Sequence, residues 1–462
     1  MNSDGTALTA AEPTGDTVTI KEIAGQYDLS RRDARAVLRR ARSIAAERDD
    51  AARHTACHLL IEVCQCVLDL DKGRPSLPED DPTQEWLKAL AQKHGLLPAL
   101  HRVLDVSKGK KGVAKPASPG ENALAQLSEI IAAASDAHLT IVPVKGPTLA
   151  FRLYDDPELR PFADLDLLID PSEFERADSI LNALGYRKEP GLLDAEFYLK
   201  NHIHIGYEFP GATKVELHWG LSHRFRPWCI PVAEVLARAE MRELGGRDIP
   251  SLSDEDHLIY LCTHLEEHGY YSRYADEVSD EALVANPDLN NRLIWLLDVA
   301  MMVKWLRSQL DWDAIRERAC RWGVGGHLRS VLALSERLLR VPMPEGLRGS
   351  LPRLSSYRFE RRIARFVASS AEMPVNSRSR LSSWAYRIAL SRIFRMHPTL
   401  QFRPSKVFDV VRYLFSREII PNEDQRSASL RKARILGAPF RAMRLMRMAM
   451  SILWHYIRRF IG

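Results

Sequence analysis

Two aspartates spaced two residues apart carry the chemistry that this sequence indicates most directly. Asp164 and Asp166 alternate with leucines in the segment FADLDLLI, a pattern typical of a β-strand. Because successive side chains of a strand point to opposite faces, the two carboxylates share one face. Carboxylate oxygens suit Mg²⁺, which usually binds through one or two carboxylates plus substrate phosphates. The spacing therefore predicts a site that holds divalent cations against a nucleoside triphosphate.

A glycine turn precedes this strand. A hydrophobic run ends at Lys145 and Gly146, and Pro147 suits the first position of a short helix. Glycine lets the backbone approach a phosphate, and the N-terminus of a helix favours anions. We therefore expect Lys145, Gly146 and Thr148 to bind the nucleotide.

Two further residues between the turn and the aspartates are candidate nucleotide contacts. Arg160 would pair with phosphate oxygens through its guanidinium group. Tyr154 would stack on the base. The alternatives are that Arg160 pairs with Asp155 or Asp156 and that Tyr154 belongs to the hydrophobic core.

Two segments, VKGPTLAFRLYDDPELRPFADLDLLI and KVELHWGL, carry a family resemblance. They resemble the uncharacterised nucleotidyltransferases of the DNA polymerase β superfamily, over about Leu139 to His223. The resemblance implies that Asp164, Asp166 and a third acid, Glu216, hold two Mg²⁺ ions, with Mn²⁺ as an alternative. The superfamily usually has Gly-Ser or Gly-Gly at the turn, whereas this chain has Lys-Gly-Pro-Thr.

The residues around Glu216 agree with that assignment. Glu216 and His218 share one face of their predicted strand. If this strand lies beside that of the aspartates, three acids converge, and they repel each other unless cations bind among them. Two metals would stabilise the attacking and leaving oxygens, and Glu216 would be placed to accept a proton.

The predicted fold class is α+β: a small polymerase β-like nucleotidyltransferase α/β core with a mixed sheet, flanked by largely helical N- and C-terminal regions. Strands are expected at Leu139–Val144, Ala163–Ile169, Ile203–Phe209 and Lys214–Trp219. The predicted division is 1–104, a disordered start followed by helices; 105–120, a linker; 121–250, the nucleotidyltransferase core; 251–352, a helical acceptor-side domain; and 353–462, a basic helical region.

Helical segments after Pro250 supply further candidates. His264 and His268 lie four residues apart, hence on one helical face. In their segment HLEEH, Leu265 occupies the position of the catalytic glutamate of the zinc protease motif HExxH. We therefore expect a packing or acceptor-pocket role for both histidines, and an acceptor-side role for His218 as well. In the apolar helix Leu293–Leu306, Asp298 needs a buried partner, for which Arg292 is a candidate.

Charge is unevenly spread along the 462 residues, whose overall net charge is +5. The region 353–462 has 23 Lys/Arg against 6 Asp/Glu, a net charge of +17, and the remainder has −12. This asymmetry predicts an anionic partner for the basic region, RNA or a membrane surface, or else packing on the acidic body. The six cysteines without a CxxC pair favour a cytoplasmic protein, with a peripheral membrane contact as the alternative. The N-terminus lacks the apolar stretch of a signal peptide, and no transmembrane helix is expected.

The function predicted from these residues is transfer of a nucleoside monophosphate from an NTP, such as ATP, to an acceptor hydroxyl of a protein, RNA or small molecule, with release of pyrophosphate. Asp164, Asp166 and Glu216 would be the catalytic and metal-binding residues. Two alternatives stay open. The altered turn favours a catalytically degenerate nucleotide-binding or scaffold protein of a biosynthetic or defence cluster. The basic region favours a binder of nucleic acid or of a membrane surface.

Overall fold

The computed structural model describes residues 31–69, 75–104, 119–189, 203–222, 228–269, 279–285 and 292–353, without the side chains of 31–47, 266–269 and Ala282. Nearly all of the predicted linker and basic region, and residues 1–30, lie outside these ranges. The expectations for those segments, and the predicted division into domains, stay predictions.

Helices dominate the described part of the chain. In chain order they are α1 (Arg31–Leu68), α2 (Asp81–His94), α3 (Leu97–Val103), α4 (Pro119–Asp136), α5 (Pro147–Leu153), α6 (Phe174–Ala183), α7 (Val232–Leu236), α8 (Asp254–Gly269), α9 (Asp280–Ala285), α10 (Leu293–Trp305), α11 (Trp312–Arg321), α12 (Gly325–Leu339) and α13 (Glu345–Arg348). Short 3₁₀ turns at Pro157–Leu159 and Pro171–Glu173 precede β2 and α6 respectively.

The strands form a five-stranded sheet and a separate hairpin. They are β1 (Val142–Pro143), β2 (Asp164–Leu168), β3 (Arg187–Lys188), β4 (His204–Glu208), β5 (Lys214–His218), β6 (Glu240–Leu244) and β7 (Arg247–Ser251). The sheet order is β1-β2-β5-β4-β3, with β2 parallel to β5 and the other neighbours antiparallel. The α+β class with a mixed sheet is therefore confirmed. The four predicted strands are also present, each shorter than expected, whereas β3 and the hairpin β6–β7 were not predicted.

The sheet separates an apolar face from a polar one. On the apolar face, alternating residues of the three central strands are buried against α4 and α6, which contribute Leu124, Leu127, Ile130, Phe174, Ala177 and Leu181. The strand residues of this face are Leu165, Leu167, Ile205, Tyr207, Val215 and Leu217. Because strand side chains alternate, this packing fixes which residues point to the opposite, polar face.

A second core joins the remaining helices to one edge of the polar face. Val142 and Leu168 of the sheet are buried together with side chains from α1, α8, α10 and α12. In α10, only Trp295 and the residues at its C-terminal end escape full burial, which confirms that this segment is a core helix. These helices, the helical half of the protein, therefore pack against the sheet next to the strand that carries the two aspartates.

Within the part of the chain that the structure describes, no helix combines the length and the apolar character needed to cross a membrane. All six cysteines are free thiols, and Cys57, Cys64, Cys66 and Cys262 are buried.

Candidate active site

Strand register sets the three predicted acids on one face of the sheet. The parallel pairing of β2 with β5 places Asp166 beside Glu216 and Asp164 beside Lys214. Since residues i and i+2 of a strand share a face, Asp164, Asp166, Glu216 and His218 all lie on the polar side. The antiparallel neighbour β4 adds His204, which is opposite His218.

Asp166 is the buried centre of this face, with 2% of its surface exposed. Its Oδ1 accepts a hydrogen bond from His218 Nε2 at 2.9 Å and pairs with Lys145 Nζ at 2.9 Å. Burial alone would raise the pKa of Asp166, but Lys145 and His218 outweigh it and hold that pKa well below its usual range. Asp166 is therefore a carboxylate with two cationic partners.

The surroundings of His218 and of Lys145 favour their charged forms. Burial would lower the pKa of His218, yet hydrogen bonds to Asp166 and Glu216 raise it. Burial would also lower the pKa of Lys145, but Tyr260 and Asp166 raise it. The positive charge of Lys145, and of His218 when it is protonated, thus offsets the negative charge of the acids on this face.

Asp164 and Glu216 are half-buried and differ in their surroundings. Burial and the charge of Asp166 raise the pKa of Asp164. His218, whose Nε2 lies 3.7 Å from Glu216 Oε2, together with His204, lowers the pKa of Glu216 to about 2. Glu216 is therefore firmly ionised and a weak base.

The three potential metal ligands that this face brings together are not the three acids. Among the described residues, one nitrogen each from His204 and His218 and one oxygen of Glu216 all lie within 4.8 Å of one another, whereas Asp164, Asp166 and Glu216 do not form such a group. The two imidazole rings are 4.7 Å apart. His204 was not predicted. Its alternation in HIGYE was visible in the sequence, but its pairing with β5 was not.

A second ion-pair cluster borders Glu216. Lys214 Nζ lies 3.2 Å from Glu216 Oε1 and 2.8 Å from Glu189 Oε1. The Glu189 carboxylate rests over Gly206, where a Cβ atom would collide with it. The polar face therefore carries a fourth carboxylate that the sequence did not single out.

The glycine turn sits directly against the aspartate strand. Gly146 has φ 63° and ψ −122°, a conformation that L-amino acids rarely adopt. A Cβ atom there would lie 3.1 Å from the carbonyl oxygen of Asp164 and 3.6 Å from the ring of Phe162. Glycine is thus required for the chain to pass this close to β2 and to present Lys145 to Asp166.

The other predicted nucleotide contacts lie in the interior. Thr148 is fully buried, and within the described residues its hydroxyl has no hydrogen-bond partner. The Tyr154 hydroxyl donates to Asp298 Oδ1 at 2.8 Å, and Arg160 pairs with the same carboxylate through Nε at 3.2 Å and Nη2 at 2.8 Å. Contact with a nucleotide at Thr148, Tyr154 or Arg160 therefore requires a rearrangement, and these assignments stay predictions.

Three candidate pairings do not form among the described residues. The partners of Asp298 are Arg160 and Tyr154 rather than the candidate Arg292, whose guanidinium lies over Trp295. Asp155 and Asp156, the alternative partners of Arg160, instead pair with Arg102.

Helix α8 brings one of its histidines to the site. Lys145 Nζ lies 3.2 Å from His264 Nε2, and the His264 ring meets Trp295 edge-on with centroids 4.9 Å apart. The side chain of His268 lies outside the described part of the chain. The helical region after β7 therefore contacts the glycine turn at Lys145, and its expected role as an acceptor-side domain stays a prediction.

Residues 80–340 match the model of a family described as uncharacterised nucleotidyltransferase. The chain belongs to this family. It is accordingly an enzyme of the nucleotidyltransferase class, which confirms the resemblance seen in the sequence and implies an NTP substrate and an acceptor. The match extends well beyond the region of that resemblance, from just before α2 to the end of α12.

Two of the solved structures to which this chain is similar are structures of ANT(2'')-Ia. The first is the crystal structure of ANT(2")-Ia in complex with adenylyl-2"-tobramycin, whose sequence is 16% identical to this chain. The match covers 43% of this chain and 96% of the ANT(2")-Ia chain, with a TM-score of 0.27. The second is the solution structure of the antibiotic-resistance factor ANT(2'')-Ia, also 16% identical in sequence. This match covers 43% of this chain and 99% of the other chain, with a TM-score of 0.22. No curated protein sequence matches this nucleotidyltransferase.

Proposed function

We propose that this nucleotidyltransferase moves a nucleoside monophosphate from an NTP to a hydroxyl group of its acceptor and that the reaction requires divalent cations. Asp164, Asp166 and Glu216 are the proposed cation ligands and catalytic residues. The observation that carries this proposal is the register of β2 and β5, which sets Asp166 beside Glu216 with Asp164 on the same face. Family membership supports the donor and the acceptor.

The donor set fits a hard cation. Carboxylate oxygens are the ligands that Mg²⁺ prefers, and it completes its shell with water and substrate phosphates. In this structure the ammonium group of Lys145 stands against Asp166, where a positive charge is needed. When bound, divalent cations would neutralise charge on the transferred phosphoryl group and on the departing pyrophosphate.

Lys145 and His218 would have different roles in the reaction. The ammonium group of Lys145 lies beside a carboxylate that would hold a cation, and we expect it to contact a phosphate oxygen of the NTP, the role predicted for it from the glycine turn. His218 would orient Glu216, whose pKa of about 2 favours metal binding over proton acceptance. The proton of the attacking hydroxyl would instead pass to Asp164, whose pKa is raised by burial and by Asp166, as the bond between the α-phosphorus and pyrophosphate breaks. The acceptor would enter from the side of α8, where His264 contacts Lys145.

The test is transfer of label from each of four α-³²P-labelled NTPs to components of a cell extract. We compare the wild type with the double variant Asp164→Asn/Asp166→Asn, with Mg²⁺, with Mn²⁺ and with EDTA. The control is Asp313→Asn, because the Asp313 side chain is 88% exposed and remote in the chain from the sheet. We expect transfer to vanish in the double variant and with EDTA and to persist in the control. Transfer that survives in a correctly folded double variant contradicts the proposal.

A second candidate is a catalytically degenerate nucleotide-binding protein. The Lys145–Asp166 pair and the burial of Thr148 favour it, because the site is already neutralised and the predicted phosphate contact is closed. Calorimetric titration separates the two functions. Binding of Mg²⁺ and an NTP without turnover, under all conditions of the transfer assay, would support the degenerate protein.

The third candidate, a binder of RNA or membranes, depends on the basic region 353–462 and is proposed from charge alone. A steep decrease of RNA or liposome binding with salt, lost on deletion of 426–462, would support it.

A further inference from the structure

We propose that His54, His58 and Glu281 form a second metal site, which takes a transition-metal ion such as Zn²⁺. The site is built from α1 and α9. Neither helix contributes a residue to the polar sheet face of the proposed active site. The site does not depend on the proposed transfer reaction.

The two histidines lie four residues apart in α1, so their rings share one face of the helix. Their ring centroids are 4.5 Å apart. Glu281 lies in the first turn of α9, and its Oε1 is 2.9 Å from His54 Nε2 and 2.8 Å from His58 Nε2. All three ligand atoms lie within 4.8 Å of one another. Two imidazoles from one helix and a carboxylate from another thus converge on one point.

The size of this cluster suits a tetrahedral ion. Zinc bonds to nitrogen and carboxylate oxygen are about 2.0–2.1 Å long, so ligand atoms around tetrahedral zinc lie roughly 3.3 Å apart. The nitrogen-to-oxygen distances of 2.8 and 2.9 Å are shorter by about half an ångström. A small rotation of exposed side chains would therefore open the cluster enough to admit the ion.

The types of ligand select the class of metal. Imidazole nitrogen suits Zn²⁺, Cu²⁺, Ni²⁺ and iron, whereas Mg²⁺ and Ca²⁺ prefer oxygen ligands. Cys57 lies between the two histidines but is fully buried among core residues, so the ligand set is two imidazoles and one carboxylate. The side chains of His54 and His58 are 60% and 47% exposed, which gives the ion access and leaves a position for water.

Metal binding would fasten α9 to α1. Helix α9 has only six residues, and its backbone is held at Val284 by His94 of α2. An ion bound by Glu281 and the two histidines would replace their present hydrogen bonds with stronger bonds and so strengthen the existing contact between α9 and the long first helix. We therefore infer a structural site, whose occupancy raises the melting temperature without supplying a catalytic group.

The experiment uses the full chain, stripped of metal and titrated with Co²⁺, whose absorption spectrum reports tetrahedral coordination, and with Zn²⁺ in competition. The variants are His58→Gln and Glu281→Gln. Glu216→Gln is included in every protein, because it removes one of the three potential ligands that His204, Glu216 and His218 bring together at the proposed active site. The matched control is His101→Gln, because His101 is also an exposed helical histidine.

We expect His58→Gln and Glu281→Gln each to weaken Zn²⁺ binding at one site at least tenfold and to abolish the rise in melting temperature that Zn²⁺ gives the control. His58→Cys should restore binding, with a thiolate-to-Co²⁺ band in the spectrum, because cysteine is itself a zinc ligand. Identical Co²⁺ spectra and Zn²⁺ affinities in the control and both Gln variants would overturn the proposal and leave a hydrogen-bonded cluster only.

Discussion

Arg160 and Asp298 form a two-point ion pair inside the protein, with distances of 3.2 and 2.8 Å between their nitrogen and oxygen atoms. Arg160 lies in the loop that leads into β2, and Asp298 lies in the middle of α10. Both are at least 95% buried, and Tyr154 donates a third hydrogen bond to the carboxylate. The pair therefore ties the approach to the Asp-x-Asp strand to the helical half of the protein.

The first prediction concerns the loss of one partner. Asp298→Ala leaves the guanidinium charge of Arg160 buried and uncompensated, which we expect to lower the free energy of unfolding by about 3–5 kcal/mol. The control is Asp155→Ala, which breaks the exposed Arg102–Asp155 pair. We expect that change to cost no more than about 1 kcal/mol. Urea denaturation measures both, and equal losses would contradict the structural role of Asp298.

The second prediction concerns the glycine turn. Gly146→Ala adds a Cβ atom 3.1 Å from the carbonyl oxygen of Asp164, at a φ of 63°. Gly211→Ala is the matched control, because Gly211 has a φ of 79° but open space around its Cα. We expect backbone strain of about 1–3 kcal/mol in both variants, because each would hold alanine at a positive φ. Only Gly146→Ala should also displace Asp164 and reduce label transfer, by tenfold or more. Equal activity in the two folded variants would show that the close approach does not matter to the site.

The local pattern of the sequence was enough to predict one face of the site. Asp164 and Asp166 alternate with buried leucines, and strand alternation depends only on neighbours in the chain. The same reasoning predicted that Glu216 and His218 share a face. The parallel pairing of β2 with β5 was a condition that the pattern could not supply, because register across 50 residues is decided by packing of the whole sheet.

Contacts between residues far apart in the chain could not be predicted from the sequence. Arg160 and Asp298 are 138 positions apart, and no local signal links them. His204 joins the site only because β4 pairs with β5. The hairpin β6–β7 is different, because Gly245 and Gly246 between two five-residue strands are a turn signal that the local sequence contains.

The third prediction concerns the ammonium group of Lys145, which pairs with Asp166. Lys145→Met removes the ammonium group 2.9 Å from the Asp166 carboxylate and leaves His218 as its remaining cationic partner. In EDTA we expect a loss of about 1.5–3 kcal/mol of unfolding free energy, the usual size for hydrogen bonds to charged groups. Mg²⁺ should recover part of this loss, because it replaces the missing positive charge.

The control for that experiment is Lys88→Met, since Lys88 is exposed on α2. The melting temperature of each protein is measured in EDTA and in Mg²⁺. We expect the increment that Mg²⁺ produces to be larger in Lys145→Met than in Lys88→Met or the wild type. The same increment in all three would mean that no cation binds near Asp166.

The fourth prediction concerns acid sensitivity, which we trace to a buried histidine that joins three helices. His94 of α2 donates from Nε2 to the carbonyl of Val284 at 2.8 Å and accepts at Nδ1 from the amide of Leu293 at 3.0 Å. These two contacts fix the neutral ring, because a proton on Nδ1 would face an N–H group. Burial, with the nearby charge of Lys93, lowers the pKa of His94 to about 3.

The sign of the effect follows from linkage. In the unfolded chain His94 titrates near 6.5, so between about pH 6.5 and 3 the unfolded state binds a proton that the folded state does not. The free energy of unfolding should therefore fall with decreasing pH, by up to about 1.4 kcal/mol per pH unit from this group. Above pH 6.5 it adds no slope. His257, buried with a pKa lowered to about 4, acts in the same direction.

The substitution His94→Gln separates the contribution of His94 to acid sensitivity from that of the other titrating groups. His94→Gln should be less stable than the wild type at pH 7.5, because one of the two hydrogen bonds is lost, yet its stability should fall less steeply towards pH 5. His101→Gln, at an exposed site, should keep the wild-type slope. Urea unfolding midpoints between pH 5 and 7.5 test this. If His94→Gln and His101→Gln show the same slope, acid sensitivity comes from other groups, because a neutral glutamine cannot reproduce the titration of a buried imidazole.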